Sequence, residues 1–153
     1  MATEIERKFL LRDTGFLQGL PGERICQGYL SDAVDATVRV RLVGNQGFLT
    51  IKGRSHGISR SEFEYPIPAT DAEQLLAMCC ASRIDKTRYR IPHGRHLWEV
   101  DVFSGANEGL VVAEIELASE EEVFARPDWL GEEVSHDSRY FNSQLSRQPF
   151  SGW

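Results

Sequence analysis

In Glu4-Ile5-Glu6-Arg7-Lys8, charges recur at every second position. Alternate residues of a β-strand share a face, so Glu4, Glu6 and Lys8 are predicted to line one side of a sheet. The same spacing returns in Arg39-Val40-Arg41, Thr50-Ile51-Lys52, Glu62-Phe63-Glu64, Lys86-Thr87-Arg88-Tyr89-Arg90, Glu99-Val100-Asp101 and Glu114-Ile115-Glu116. Each run sets charged residues against apolar ones on the opposite face. Seven strands would then share one charged face.

The signs of these charges are grouped by strand. Glu4, Glu6, Glu62, Glu64, Glu99, Asp101, Glu114 and Glu116 are acidic, while Lys8, Arg39, Arg41, Lys52, Lys86, Arg88 and Arg90 are basic. A face that merely meets water tends to avoid like charges in neighbouring positions, because each such pair is mildly destabilising. That reading accounts for any single run better than for all seven together. Carboxylate pairs hold hard divalent cations through oxygen, and Arg and Lys clusters hold phosphate. Both kinds on one face point to a metal-bound polyphosphate.

In order, these runs resemble the pattern of the CYTH superfamily, the triphosphate tunnel metalloenzymes, of the short bacterial, inorganic tripolyphosphatase-like type. Glu4-Ile5-Glu6-Arg7-Lys8 matches the family's Glu-X-Glu-X-Lys signature, which is weak alone and specific as part of the ordered set. The resemblance covers nearly the whole chain. It implies an α+β fold: an antiparallel β-barrel of about eight strands, forming a tunnel with a charged interior and helices packed outside. It also implies one domain over residues 1–153 and a small anionic triphosphate as substrate.

Composition agrees. The chain has 153 residues and 41% apolar content, long enough to bury a substantial core. A net charge of −6 argues against a nucleic-acid binder working by bulk charge. The proposed lining holds eight acidic against seven basic groups; two divalent cations would make the pocket net positive. No apolar run approaches a membrane span, and little chain precedes Glu4 to serve as a secretory signal, so a cytoplasmic protein is expected. Cys26, Cys79 and Cys80 have no zinc or disulfide spacing and read as core thiols. His56, His93, His96 and His136 form no ligand pattern.

Gly44-Asn45-Gln46-Gly47, Pro92-His93-Gly94 and Gly105 to Gly109 read as turns between antiparallel strands. Helices are expected from Thr70 to about Cys80, opened by a Thr70/Glu73 capping box, and from Ser119, paired with Glu122, to just before Pro127. Further short helices are expected within Arg12 to Leu20 and Ser138 to Leu145. Outside the barrel, Ile5, Phe9, Val38, Val40, Leu42, Leu49, Ile51, Phe63, Tyr65, Ile115 and Leu117 would meet these helices or a partner, leaving room for a homodimer. Trp98 is assigned to the core.

By resemblance, Glu4, Glu6, Glu114 and Glu116 would bind Mg²⁺ or Mn²⁺, two ions per active site, with Asp101 and Glu62 or Glu64 available for a second ion or for orienting water. Each acidic residue could instead pair with a facing Arg or Lys. Lys8, Arg39, Arg41, Lys52, Lys86 and Arg88 would grip phosphate oxygens. Arg139, in a C-terminal segment whose helix would close part of the tunnel mouth, would reach phosphate or serve as a helix-surface or capping residue, while Arg54, Arg60 and Arg90 read as solvated. Glu4, Glu6, Lys8, Lys52, Glu114 and Glu116 form the expected catalytic set. The expected reaction is metal-dependent hydrolysis of inorganic tripolyphosphate to pyrophosphate and phosphate. A class IV-type adenylyl cyclase, a nucleoside or thiamine triphosphatase, and a non-catalytic polyphosphate-binding module are the alternatives.

Overall fold

A computed structural model describes residues 2–79 and 83–153; Cys80 lies outside them. Eight strands form a closed antiparallel ring. They are β1 (Ala2–Leu11), β2 (Glu23–Ala33), β3 (Ala36–Val43), β4 (Gln46–Gly53), β5 (Ser59–Ile67), β6 (Ile84–His93), β7 (His96–Ser104) and β8 (Val111–Glu116). The order runs β5-β4-β3-β2-β6-β7-β8-β1, and β1 closes the ring by pairing again with β5. Residues 6–10 of β1 pair with β8, while residues 2–5 pair with β5 and Phe9 and Leu11 pair with the short β9 (Leu130–Glu133). Closure leaves few unpaired strand edges, which suits a sheet whose inner face is too polar to be buried against another layer.

Tight turns make the antiparallel order. Gly44 and Gly94 sit at φ of 58° and 62° between β3 and β4 and between β6 and β7. This left-handed backbone is one that glycine adopts without a Cβ clash.

Much of the outer wall is covered as its alternation predicts. Phe9, Trp98, Val100, Ala113, Ile115 and Leu117 form a buried cluster with Leu130, and Phe16, Phe124 and Trp129 pack on it. Phe9 and Trp98 meet edge to face at 5.6 Å. Ala72 and Leu76 of α1 (Ala69–Leu76) bury against Val40. By contrast, Phe63 and Tyr65 on β5 remain 37% and 53% exposed.

The helices depart from their expected limits. α1 begins one residue earlier than expected, with Pro68 at the N-cap and no side-chain cap bond. No helix follows Ser119. The Glu122 carboxylate accepts from the Ala118 N–H and pairs with His96, which closes a single turn. The chain then extends so that Phe124 can reach Phe9 and Trp98. Arg12 to Leu20 contains a 3₁₀ turn, Gly15–Leu17.

At the C-terminus, a 3₁₀ turn at Ser138–Tyr140 leads into α2 (Asn142–Arg147). Leu145 of α2 is fully buried against Tyr29, Ile84, Phe103, Leu110 and Val112. Ile84, Phe103 and Val112 share strand parity with Lys86, Asp101 and Glu114, so this apolar layer belongs to the inside of the ring. α2 therefore seals part of the interior. Among the described residues no helix is long and apolar enough to cross a membrane.

Candidate active site

Strand parity carries the charged rows inward, and register sets their neighbours. Glu6 lies opposite Glu116 and Lys8 opposite Glu114 across the β1–β8 pair. Lys52 is flanked by Thr37 on β3 and Glu62 on β5, and Glu4 faces Arg60 across β1–β5. These side chains line one cavity of about 210 Å³. It gathers twelve of the predicted site residues, Glu4, Glu6, Lys8, Arg39, Arg41, Lys52, Glu62, Glu64, Lys86, Arg88, Glu114 and Glu116, together with Glu99 of the predicted charged face.

Ion pairs organise the lining. Lys8 Nζ lies 2.7 Å from Glu114 and 3.7 Å from Glu6. Lys52 Nζ lies 3.0 Å from Glu4 and 3.8 Å from Glu62. Arg39 donates to Thr50 Oγ1 at 3.2 Å, while Thr50 in turn donates to Glu64 at 2.9 Å.

Two predicted residues fall outside the cavity lining. Asp101 is 1% exposed and is held by Arg88 through two bonds, of 2.8 and 2.9 Å, and by Lys86 at 2.8 Å. Its oxygens are committed to buried cations, so the structure places it beneath the site as their anchor. Arg139 is exposed, paired with Asp137, and lies 4.9 Å over the Trp153 ring. It lies on the surface of the C-terminal turn, whose N-cap is Asp137, accepting from the Arg139 N–H.

Titration follows from this crowding. Burial, helped by Glu114, pushes the Glu6 carboxyl up to about 7. Burial also raises Glu4, partly offset by Lys52, and raises Glu116 with help from Glu4 and Glu99. Glu114 goes the other way: despite its burial, Lys8, Arg88 and Lys86 hold it well below the usual range. Asp101, also buried, is drawn down to about 2 by Lys86 and Arg88. Burial lowers Lys86 to about 7, with Arg88 and Arg41 outweighing part of the attraction of Asp101. Arg88 bonds both Asp101 oxygens, and Lys86 shares one of them.

A surplus of carboxylates that raise one another's proton affinity is the donor chemistry of a hard divalent-cation site. Glu4, Glu6, Glu114 and Glu116 fit such an ion, although among the described residues no three His, Cys, Asp or Glu side chains form a ready-made metal cage. Lys8 and Lys52 pair with Glu114 and Glu4.

A CYTH domain model matches residues 2–147. The chain belongs to the CYTH domain family. It is 45% identical to the inorganic triphosphatase of Acetivibrio thermocellus, over 100% of this chain and 99% of the relative. It is 40% identical to the inorganic triphosphatase of Nitrosomonas europaea, over 94% and 97% of the two chains. The crystal structure of the inorganic triphosphatase NE1496 superposes with a TM-score of 0.67 at 35% identity, covering 93% of this chain and 96% of that one.

Several groups around the cavity of this CYTH domain escaped the motif reading. Arg60 lines it, donating to the Gly53 carbonyl at 3.0 Å and to Thr37 at 3.4 Å. The alternation that selects Glu62 and Glu64 selects Arg60 too, and its place at a strand end is what made it read as solvated. Ser135 also borders the cavity, from a region without alternation and with no local signal to mark it. Phe141, Asn142 and Ser143 border it too, at the start of the C-terminal helix that the resemblance set at the tunnel mouth.

Proposed function

We propose that this CYTH domain is a divalent-metal-dependent hydrolase of inorganic tripolyphosphate, releasing pyrophosphate and phosphate. The observation that carries the reading is one cavity in which the carboxylates of β1 and β8 face each other beside basic rows on β3, β4 and β6. The inorganic triphosphatase relatives at 40–45% identity support the same substrate.

Glu4, Glu6, Glu114 and Glu116 would hold Mg²⁺ or Mn²⁺, and Glu62 and Glu64 are available to a second ion. Bound there, such ions neutralise phosphate charge and lower the pKa of coordinated water. Arg39, Arg41 and Arg88 offer planar forks to phosphate oxygens, while Lys8, Lys52 and Lys86 act as point charges. Because the barrel holds these groups in place beforehand, they stabilise the charge of the transferring phosphoryl group without reorganising. A carboxylate of the lining would take the proton of the attacking water.

The test is release of phosphate from tripolyphosphate, pyrophosphate, ATP and a phosphomonoester with Mg²⁺, with cyclic AMP measured in the ATP arm. Tripolyphosphate should be the best substrate by at least about tenfold, because its third phosphate adds contacts to the basic rows. Equal turnover of pyrophosphate would overturn the reading. Formation of cyclic AMP in place of phosphate would favour the cyclase, and tight binding without turnover the polyphosphate-binding module.

A further inference from the structure

The cavity cations are held in two different ways. Lys8, Lys52, Lys86 and Arg88 each pair with a carboxylate. Arg41 does not: its Nε donates to the amide oxygen of Gln27 at 3.0 Å, and no ion pair forms to it among the described residues. Gln27 is fully buried, stands directly opposite Arg41 across β2–β3, and does not line the cavity.

We infer that Gln27 is a positioning residue that sets the Arg41 guanidinium for anion binding without a direct counter-ion. This rests on the triphosphatase reading above. With Nε engaged, Nη1 and Nη2 have no protein partner among the described residues and remain available for a two-pronged grip on phosphate. A carboxylate in place of the amide would orient the guanidinium equally well but would cancel the charge the anion needs. The amide's orientation is dictated by Arg41, since an N–H turned toward Nε would set donor against donor. That orientation leaves Gln27 Nε2 buried without a partner. An unpaired buried N–H is costly, so stability alone favours an apolar side chain here, and service to Arg41 accounts for the glutamine. Burial, together with Arg39 and Arg88 and partly offset by Asp101 and Glu64, lowers the Arg41 proton affinity to about 10, still leaving a full cation at neutral pH.

A double-mutant cycle tests this with Gln27→Met, Arg41→Met and the pair. The readouts are melting temperature, kcat/KM for tripolyphosphate with Mg²⁺, and tripolyphosphate affinity by calorimetry in chelator without metal. Gln27→Met should melt within a few degrees of the parent or above it, and should lose about tenfold in both affinity and kcat/KM, the scale of one hydrogen bond. In the Arg41→Met background the same change should cost nothing further. Gln27→Glu serves as a second variant: it keeps the acceptor, and so should fold, yet should weaken tripolyphosphate binding by supplying an internal counter-ion. Equal losses from Gln27→Met in both backgrounds, unchanged affinity in Gln27→Met, or full affinity in Gln27→Glu would overturn the inference. A parent that binds tripolyphosphate without turning it over would defeat the proposed hydrolase and leave the cycle in affinity to decide the role of Gln27. A parent that neither binds nor turns it over defeats both.

Discussion

At the scale of single residues, the site is a set of electrostatic compromises that a bound cation would relieve. Glu6 and Glu116 face each other across β1–β8, and burial raises the proton affinity of both. Glu116→Ala or Glu4→Ala should lower tripolyphosphatase activity on the order of 100-fold or more, the scale for losing a group that stabilises transition-state charge. The fold should persist: Glu116→Ala removes one of two facing like charges and relieves roughly 0.2–1 kcal/mol of repulsion, whereas Glu4→Ala gives up the Lys52 pair and should cost a little stability. Circular dichroism and a melting curve beside the phosphate assay check both halves, and retained activity in both variants would defeat the metal assignment. Asp101 behaves differently. Its folded pKa of about 2 lies below its ordinary value, so it contributes stability above about pH 4 that is lost as pH falls toward 2. Asp101→Asn should cost about 3–5 kcal/mol at neutral pH by stranding Arg88 and Lys86. It should also flatten that acid limb in urea titrations run from pH 6 to pH 2.

At the scale of elements, α2 decides how the interior ends. It is six residues long and has no side-chain N-cap, so it depends on tertiary contact rather than on intrinsic helicity. Leu145 supplies that contact within the apolar layer of Tyr29, Ile84, Phe103 and Val112. Leu145→Ala should destabilise the protein by about 2–5 kcal/mol. Because Phe141, Asn142 and Ser143 border the cavity, the same change should raise KM for tripolyphosphate more than it lowers kcat. Denaturant melts and steady-state kinetics read the two effects, and an unchanged KM would separate the seal from the substrate site.

At the scale of the whole molecule, a closed ring holds charges of both signs around one cavity, and the proposed metal choice follows from that confinement. Mg²⁺ and Mn²⁺ accept near-octahedral oxygen geometry, Mg²⁺ at about 2.0–2.1 Å, whereas Ca²⁺ prefers longer bonds and more ligands. Calcium titrated into a Mg²⁺-supported tripolyphosphatase assay should inhibit, and chelator should abolish activity. Full activity with Ca²⁺ alone would contradict the mechanism.

The alternation of charged and apolar residues by itself determined seven of the eight ring strands, all but β2, with their inward faces and the kinds of group the cavity holds, because side-chain direction in a strand is a local property with a period of two. Twelve of the predicted site residues could be placed together on that basis. Only the tertiary structure decided which charges line the cavity and which are buried against each other. Asp101 has the parity of a lining residue, yet register puts Arg88 opposite it, and the pair is buried. Arg60 looked solvated until closure of β5 onto β1 brought it opposite Glu4. Gln27 carries no charge and belongs to no motif; its role appears once β2 pairs with β3 and sets it beside Arg41. Register, ring closure and the path of Phe124 and Leu145 are non-local, set by contacts between residues distant in sequence, and no local period encodes them.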